Sequence, residues 1–294
     1  MRLPATILEG KRISRIILSI QPRPPSNQDK ISSLMKKAYE MGVGSFDLLS
    51  ANHLESFKTL RSFMADESLM GICHLDAEEG ASLLGKPLHR FESRIISTIR
   101  RELLPSHQTR AILPPSSSPE VFTQKEVDRI AFDAPRFEKA LSRFDPNETP
   151  FLLVGEKYGD WLVALGRIDL LREMVFKVRE RGFLPIFLGQ WATFTLPKAK
   201  SLNVAAFAVP INKKRSFFDL ERASDLIKKF EKPVISLNPL DDGNLLRKPG
   251  EAFSFLFDEL KVYAAIARIG SEEEAGRIVA VLNKFPSLIP PRKT

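Results

Sequence analysis

Short apolar runs alternate with longer amphipathic stretches along this chain, from residue 12 to residue 283. The last quarter shows the unit most clearly. Residues 233–237, PVISL, are apolar and rich in β-branched side chains, which suits a strand buried on both faces. Residues 251–260 carry Ala252, Phe255, Leu256 and Glu259 at helical spacing, and 262–266 form a second apolar run. Gly270 and Ser271 then open a helix whose first turn holds Glu272, Glu273 and Glu274, where the helix dipole favours negative charge. The order is strand, helix, strand, helix, with polar residues just past each strand.

The same unit recurs upstream. Strands are predicted over 12–20, 45–49, 69–74, 183–188 and 204–209, and helices over 31–41, 54–64, 90–104, 161–181 and 217–230. Asp160 stands where it could cap the longest of these helices, 161–181. The middle is less regular. Residues 106–119 are rich in Pro and Ser, while 121–130 and 135–144 look helical, with Thr123 and Glu126 in capping-box spacing. Residues 107–148 read as an insertion over one face, which makes 151–154 the fourth strand. The alternative places that strand at 110–113, so nine candidates compete for eight places. The alternation predicts a single α/β domain over residues 1–294, a (β/α)8 TIM barrel with a helical insertion at about 107–148.

Composition narrows the class. Apolar residues make up 43% of the chain and charged residues 27%, ordinary values for a soluble globular protein. No apolar run is long enough for a membrane span, and the opening MRLPATILEGKR lacks the apolar core of a signal peptide. The single cysteine, Cys73, cannot form an internal disulfide, which fits the cytoplasm. A net charge of +8 allows an acidic partner or an anionic ligand, but no zinc spacing or Arg/Gly-aromatic run points to nucleic acid. The expected partner is therefore a small molecule, with no nucleic acid or membrane; the oligomeric state is left open.

In an α/β barrel the site lies at the carboxyl ends of the strands. That rule selects Asn52 after strand two, His74 and Asp76 after strand three, and Glu156, Lys157 and Tyr158 after strand four. It adds Gln190 and Trp191 after strand five, Asn212 and Lys213 after strand six, and Asn238 after strand seven. His74 and Asp76, two residues apart, share one side of their strand. With Glu156 they could share acid/base work or hold a metal, or form only a hydrogen-bonded polar layer. Lys157 could anchor an anion or act as a nucleophile, and Trp191 could wall a pocket. The Lys213-Lys214-Arg215 run could bind phosphate or be a solvated loop. No metal site is assigned.

Four stretches resemble the aldo-keto reductase superfamily in order along the chain: ILEGKRISRIILS, GVGSFDLLSANH, ISLNPLDDGNL and IARIGSEEEAGRIV. The resemblance implies a barrel that reduces carbonyls with NADPH through an Asp, Tyr, Lys and His tetrad. Asp47 falls at the Asp position. Asn52 falls at the Tyr position, where an amide cannot serve as the acid. His74 replaces the Lys, and Glu156 replaces the His if 151–154 is strand four. Arg268 stands where the family prefers a Gly beside the cofactor phosphate, and Ile278 where it often has Asn, while Ser271 matches. Arg268 and Ser271 are thus the candidate cofactor residues, and Asp47 joins the candidate catalytic set.

Three readings follow. The first is an aldo-keto-reductase-like barrel binding a small polar or anionic ligand at its mouth, without standard NADPH chemistry. The second is a divergent NAD(P)H-dependent oxidoreductase in which Asp47 and His74 handle the proton. The third is a non-catalytic binding or scaffold protein on an enzyme fold. The cofactor stays open, with NADPH expected to bind worse than about 100 μM.

Overall fold

A computed structural model describes residues 3–22, 28–103, 113, 120–217 and 219–286. In chain order the strands are β1 (Ala5–Leu8), β2 (Lys11–Ser14), β3 (Ile16–Ile20), β4 (Ser45–Leu48), β5 (Met70–Asp76), β6 (Ala81–Leu83), β7 (Lys86–Pro87), β8 (Ile130–Phe132), β9 (Phe151–Gly155), β10 (Leu184–Leu188), β11 (Ala206–Pro210), β12 (Val234–Leu237) and β13 (Ala264–Ile269). The helices are α1 (Gln28–Glu40), α2 (Ala51–Met64), α3 (Glu92–Thr98), α4 (Gln124–Val127), α5 (Ala134–Leu141), α6 (Glu156–Ala164), α7 (Ile168–Glu180), α8 (Ala192–Ala199), α9 (Leu220–Lys228), α10 (Pro249–Ser254) and α11 (Glu272–Leu282).

Strands β3, β4, β5, β9, β10, β11, β12 and β13 close into an eight-stranded barrel whose pairings are all parallel. The expected (β/α)8 barrel is therefore the fold. β9 fills the fourth place, as the reading of 151–154 required; the alternative strand at 110–113 lies, but for Leu113, outside the described residues.

Two hydrophobic clusters follow from strand alternation. One fills the barrel with Ile17, Ile72, Phe151, Leu153, Ile186 and Ile235 among others. Leu8 and Ile13 of the β1–β2 hairpin join it, so the hairpin plugs the floor. The other cluster packs the helices onto the outer faces of the strands. The expected strand at 12–20 is thus two elements. They break at Arg15, whose buried guanidinium donates to the carbonyls of Val262 and Pro286 and lies 4.0 Å from the Phe257 ring centre. Burial lowers its pKa to about 10.

Two further corrections concern helices. The helix expected over 161–181 is a pair, α6 and α7, separated at Gly166, whose φ of 76° only a glycine adopts readily. The helix expected over 121–130 stops at Val127. Thr123 and Glu126 do form the capping box, and the chain then enters β8. That strand pairs antiparallel with β6 in a small sheet, β7-β6-β8, beside the barrel mouth. The elaboration between the third and fourth barrel strands thus carries its own sheet as well as helices.

Candidate functional site

The inward positions of three adjacent strands become polar at their carboxyl ends. Ile72 is the last apolar inward residue of β5, and His74 follows it. Asp47 of β4 is in register with Ile72, and His74 with Leu153 of β9. Beyond β9 the chain turns sharply at Gly155, with φ 132°, so Glu156 opens α6 at φ 55°. A Cβ at Gly155 would sit 2.4 Å from the Leu188 carbonyl oxygen, so this approach of β9 to β10 needs glycine.

This geometry clamps His74. Its Nε2 lies 2.6 Å from Asp47 Oδ1 and its Nδ1 lies 2.7 Å from Glu156 Oε1. A ring bonded at both nitrogens by acceptor-only carboxylates carries two N–H donors and a positive charge. Burial is the largest single influence and by itself would lower the pKa. The charge and hydrogen bond of Asp47, followed by those of Glu156, outweigh it and raise the pKa to about 10. Asp47 is buried, while the Glu156 side chain is 35% exposed and forms the loose end of the clamp.

Other expected site residues take different places. Asp76 turns to cap a short 3-10 turn, accepting from the Glu78 N–H, and makes no hydrogen bond to His74. Burial above all, with the charges of Glu156 and Glu78, pushes its carboxyl up to about 7. Lys157 and Tyr158 both bond Glu92 of α3, and the Lys157 ammonium lies over the Tyr158 and Trp161 rings. Tyr158 is buried, and burial pushes its phenol pKa up. Neither lines the clefts at His74. Trp191, expected as a pocket wall, is buried in the outer core against Phe194. The backbone N–H groups of Gln190 and Trp191 point to Asp160, which also accepts from Thr195. Asp160 is therefore a fully buried pin between α6 and the loop after β10, and not a helix cap. Burial pushes it up to about 7. Asn52 is exposed on the first turn of α2.

Among the described residues, several clefts open at this end. One of about 160 Å³ is lined by Ser19, Asp47, His74, Asn238 and Arg268 among others. A second, of about 170 Å³, shares Leu49 and His74 with it and reaches Arg143 and Phe144. The third, of about 250 Å³, lies over the ends of β11 and β12 between Asn212, Arg215, Asn238 and Asp242. There the Asn212 side chain donates to the Asn238 carbonyl, and Lys213 leaves the cleft to pair with Glu251. Asp242 takes both Arg215 and Arg268, at 2.9 and 3.2 Å. At α11, Ser271 caps the helix as expected, and the Glu274 carboxylate accepts from the Gly270 N–H at 2.6 Å. Among the described residues no group of His, Cys, Asp and Glu is arranged to hold a metal ion, and no helix is long and apolar enough to cross a membrane.

Sequence reasoning missed Arg143, Phe144, Leu49 and Asp242 as mouth residues and left Arg215 between a phosphate ligand and a solvated loop. The first two come from the insertion, where no spacing rule says which residue returns to the barrel. Arg215 and Asp242 sit in stretches already quoted, Lys213-Lys214-Arg215 and ISLNPLDDGNL, two positions past Lys213 and four past Asn238.

No family model matches the chain and no curated protein sequence matches it. Solved structures do. A holo aldo-keto reductase from Bacillus halodurans is 11% identical with a TM-score of 0.56, covering 98% of this chain and 93% of that one. An aldo-keto reductase from Brucella melitensis is 10% identical with a TM-score of 0.53, covering 97% and 95%. One from a Medee basin deep-sea metagenome is 11% identical with a TM-score of 0.52, covering 96% and 90%. The barrel therefore has the aldo-keto reductase fold, the resemblance expected from its sequence, at a level of identity that speaks to fold alone.

Proposed function

We propose that the barrel mouth binds a small polar ligand at His74 and does not work as a standard NADPH carbonyl reductase. The observation that carries this reading is the clamp: both ring nitrogens of His74 bonded to carboxylates from neighbouring strand ends. Such a ring is no base at neutral pH, because it is already protonated. It is a fixed cation whose second N–H, on Nδ1, is held by the more exposed partner. When Glu156 swings aside, that N–H can donate to a ligand hydroxyl or carbonyl, or pass its proton on as a general acid. The Asp47–His74 pair also stands where the resemblance puts an Asp and a Lys. That favours, as a second reading, a divergent oxidoreductase of the kind its fold neighbours represent.

The nicotinamide cofactor separates the two. Two of the polar groups that could meet its phosphates are already engaged within the chain. Arg268 is bonded to Asp242, and the Gly270 amide, two residues ahead of α11, is bonded to the Glu274 carboxylate. A phosphate would have to displace both carboxylates and sit beside Glu272 and Glu273. Calorimetric or fluorescence titration with NADPH and NADH is expected to show no saturable binding tighter than about 100 μM. Low-micromolar binding would move the account to the oxidoreductase reading. For the ligand itself, ligand-observed NMR with small polyols and carbonyl compounds is expected to give binders that His74→Gln releases. Binders indifferent to that change would refute the reading.

A further inference from the structure

The cleft beside His74 has a second lobe with a chemistry of its own. Leu49 and His74 line both lobes, so the two lie side by side with these side chains at their boundary. Each alone falls short of the roughly 300 Å³ at which small-molecule sites usually begin, and together they reach it. The inner lobe sets Ser19, Gln21, Asp47, Asn238 and Arg268 among the apolar side chains of Leu188, Leu237 and Ile266. The outer lobe is mostly apolar, walled by Leu49, Ala51, Leu54 and Phe144, and Arg143 brings a charge to it.

Arg143 is weakly held. Its Nε donates to the Ala140 carbonyl at 2.9 Å, which fixes the base of the guanidinium. Its Nη2 lies 3.6 Å from the Glu79 carboxylate, beyond good hydrogen-bond range, and the side chain is 55% exposed. The guanidinium carbon stands 5.6 Å from the centre of the Phe144 ring. A planar donor fork beside an apolar wall suits a carboxylate whose apolar chain lies on that wall. The other end of the cleft has the opposite preference. Asp47, charged His74 and Glu156 sum to one negative charge, and Arg268 on the same wall is offset by its pairing with Asp242, so this end repels an anion and accepts a neutral oxygen.

We propose that this site takes a small carboxylic acid bearing a hydroxyl or carbonyl at its far end. The carboxylate pairs with Arg143, the chain crosses Leu49 and Phe144, and the neutral oxygen meets His74. This names the ligand class of the site proposed above and rests on that reading of His74.

Calorimetry with two probes of equal length, ω-hydroxyhexanoate and the terminal diol of hexane, tests it. The acid is expected to bind saturably to the wild type and about tenfold or more weaker to Arg143→Ala, with part of the loss restored in Arg143→Lys. The diol is expected to bind Arg143→Ala and wild type alike. Glu79→Gln, which removes the competing carboxylate, is expected to tighten the acid about two- to threefold. His74→Gln should weaken both probes. Leu49→Trp, at an exposed position, fills the junction of the lobes and should do the same if His74→Gln does not fold. Acid and diol binding that ignores Arg143→Ala but falls in His74→Gln overturns the carboxylate assignment and leaves the His74 reading standing. Acid binding that falls in Arg143→Ala alone overturns the His74 reading. No saturable binding of the acid up to about 10 mM overturns the proposal.

Discussion

Replacing His74 with alanine is expected to lower the unfolding free energy by about 3–5 kcal/mol, measured by urea denaturation at neutral pH. The imidazolium pairs with Asp47, which is buried, and Glu156, which is partly so, and offsets one of their two negative charges. Its removal leaves two carboxylates near each other with no cation between them and opens a cavity at the top of the barrel. The double variant Asp47→Asn, His74→Ala is expected to recover part of the loss, because the buried charge goes with its partner. The effect depends on pH in one direction. The folded pKa is raised from 6.5 to about 10. The stabilisation is therefore complete below pH 6.5 and is lost as pH climbs toward 10. The gap between wild type and His74→Ala should narrow across that window. A gap that widens there, or a loss under about 1 kcal/mol at neutral pH, would mean that the clamp does not hold a charged ring.

Gly155→Ala is expected to cost about 3 kcal/mol or more and to disturb the same site from behind. At φ 132° and ψ −86° an L-residue is strained, and the added Cβ would meet the Leu188 backbone oxygen at 2.4 Å. Backbone cannot move aside as a flexible side chain can, so β9 and β10 must part or the turn must rotate. Rotation carries Glu156 away from His74, so the His74 pKa should fall together with the stability. Gly85→Ala serves as the control. It too has positive φ, 71°, but nothing lies within 4 Å of its added Cβ, so its cost should be about 1 kcal/mol. Chemical denaturation of the two variants checks the difference; equal losses would contradict it.

The barrel was legible because its strands are short apolar runs with punctuated ends, and a parallel barrel buries both faces of every strand. The places where reading failed have physical reasons. Helical spacing continues through Gly166, because Leu165 and Ile168 keep the apolar register, and one glycine costs a helix only about 1 kcal/mol. The Gly166 turn shows only in its left-handed φ. Lys157 and Tyr158 were grouped with Glu156 as neighbours in sequence. Each helical step rotates by roughly 100°, so only the first residue of α6 faces the barrel mouth while the next two turn to Glu92. Asp160 looked like a cap because it directly precedes the helical pattern that begins at Trp161, and its three partners lie some thirty residues away, at Gln190, Trp191 and Thr195. The two bonds of His74 are also long-range, but strand alternation and the barrel rule put His74 and Glu156, with Asp76, at one mouth, and the family resemblance added Asp47. No rule of this kind reaches Arg143, which arrives at the cleft on an insertion.

The charge on His74 decides the account, and NMR of protein labelled with nitrogen-15 in its histidines reads it directly. The chain has 4 histidines, so the His74 ring can be assigned by its loss in His74→Gln. The predicted result is a ring with both nitrogens protonated at pH 7 and through pH 8, titrating only near pH 10. A neutral His74 tautomer at pH 7, with one ring nitrogen bare, would contradict the clamp and the ligand site built on it.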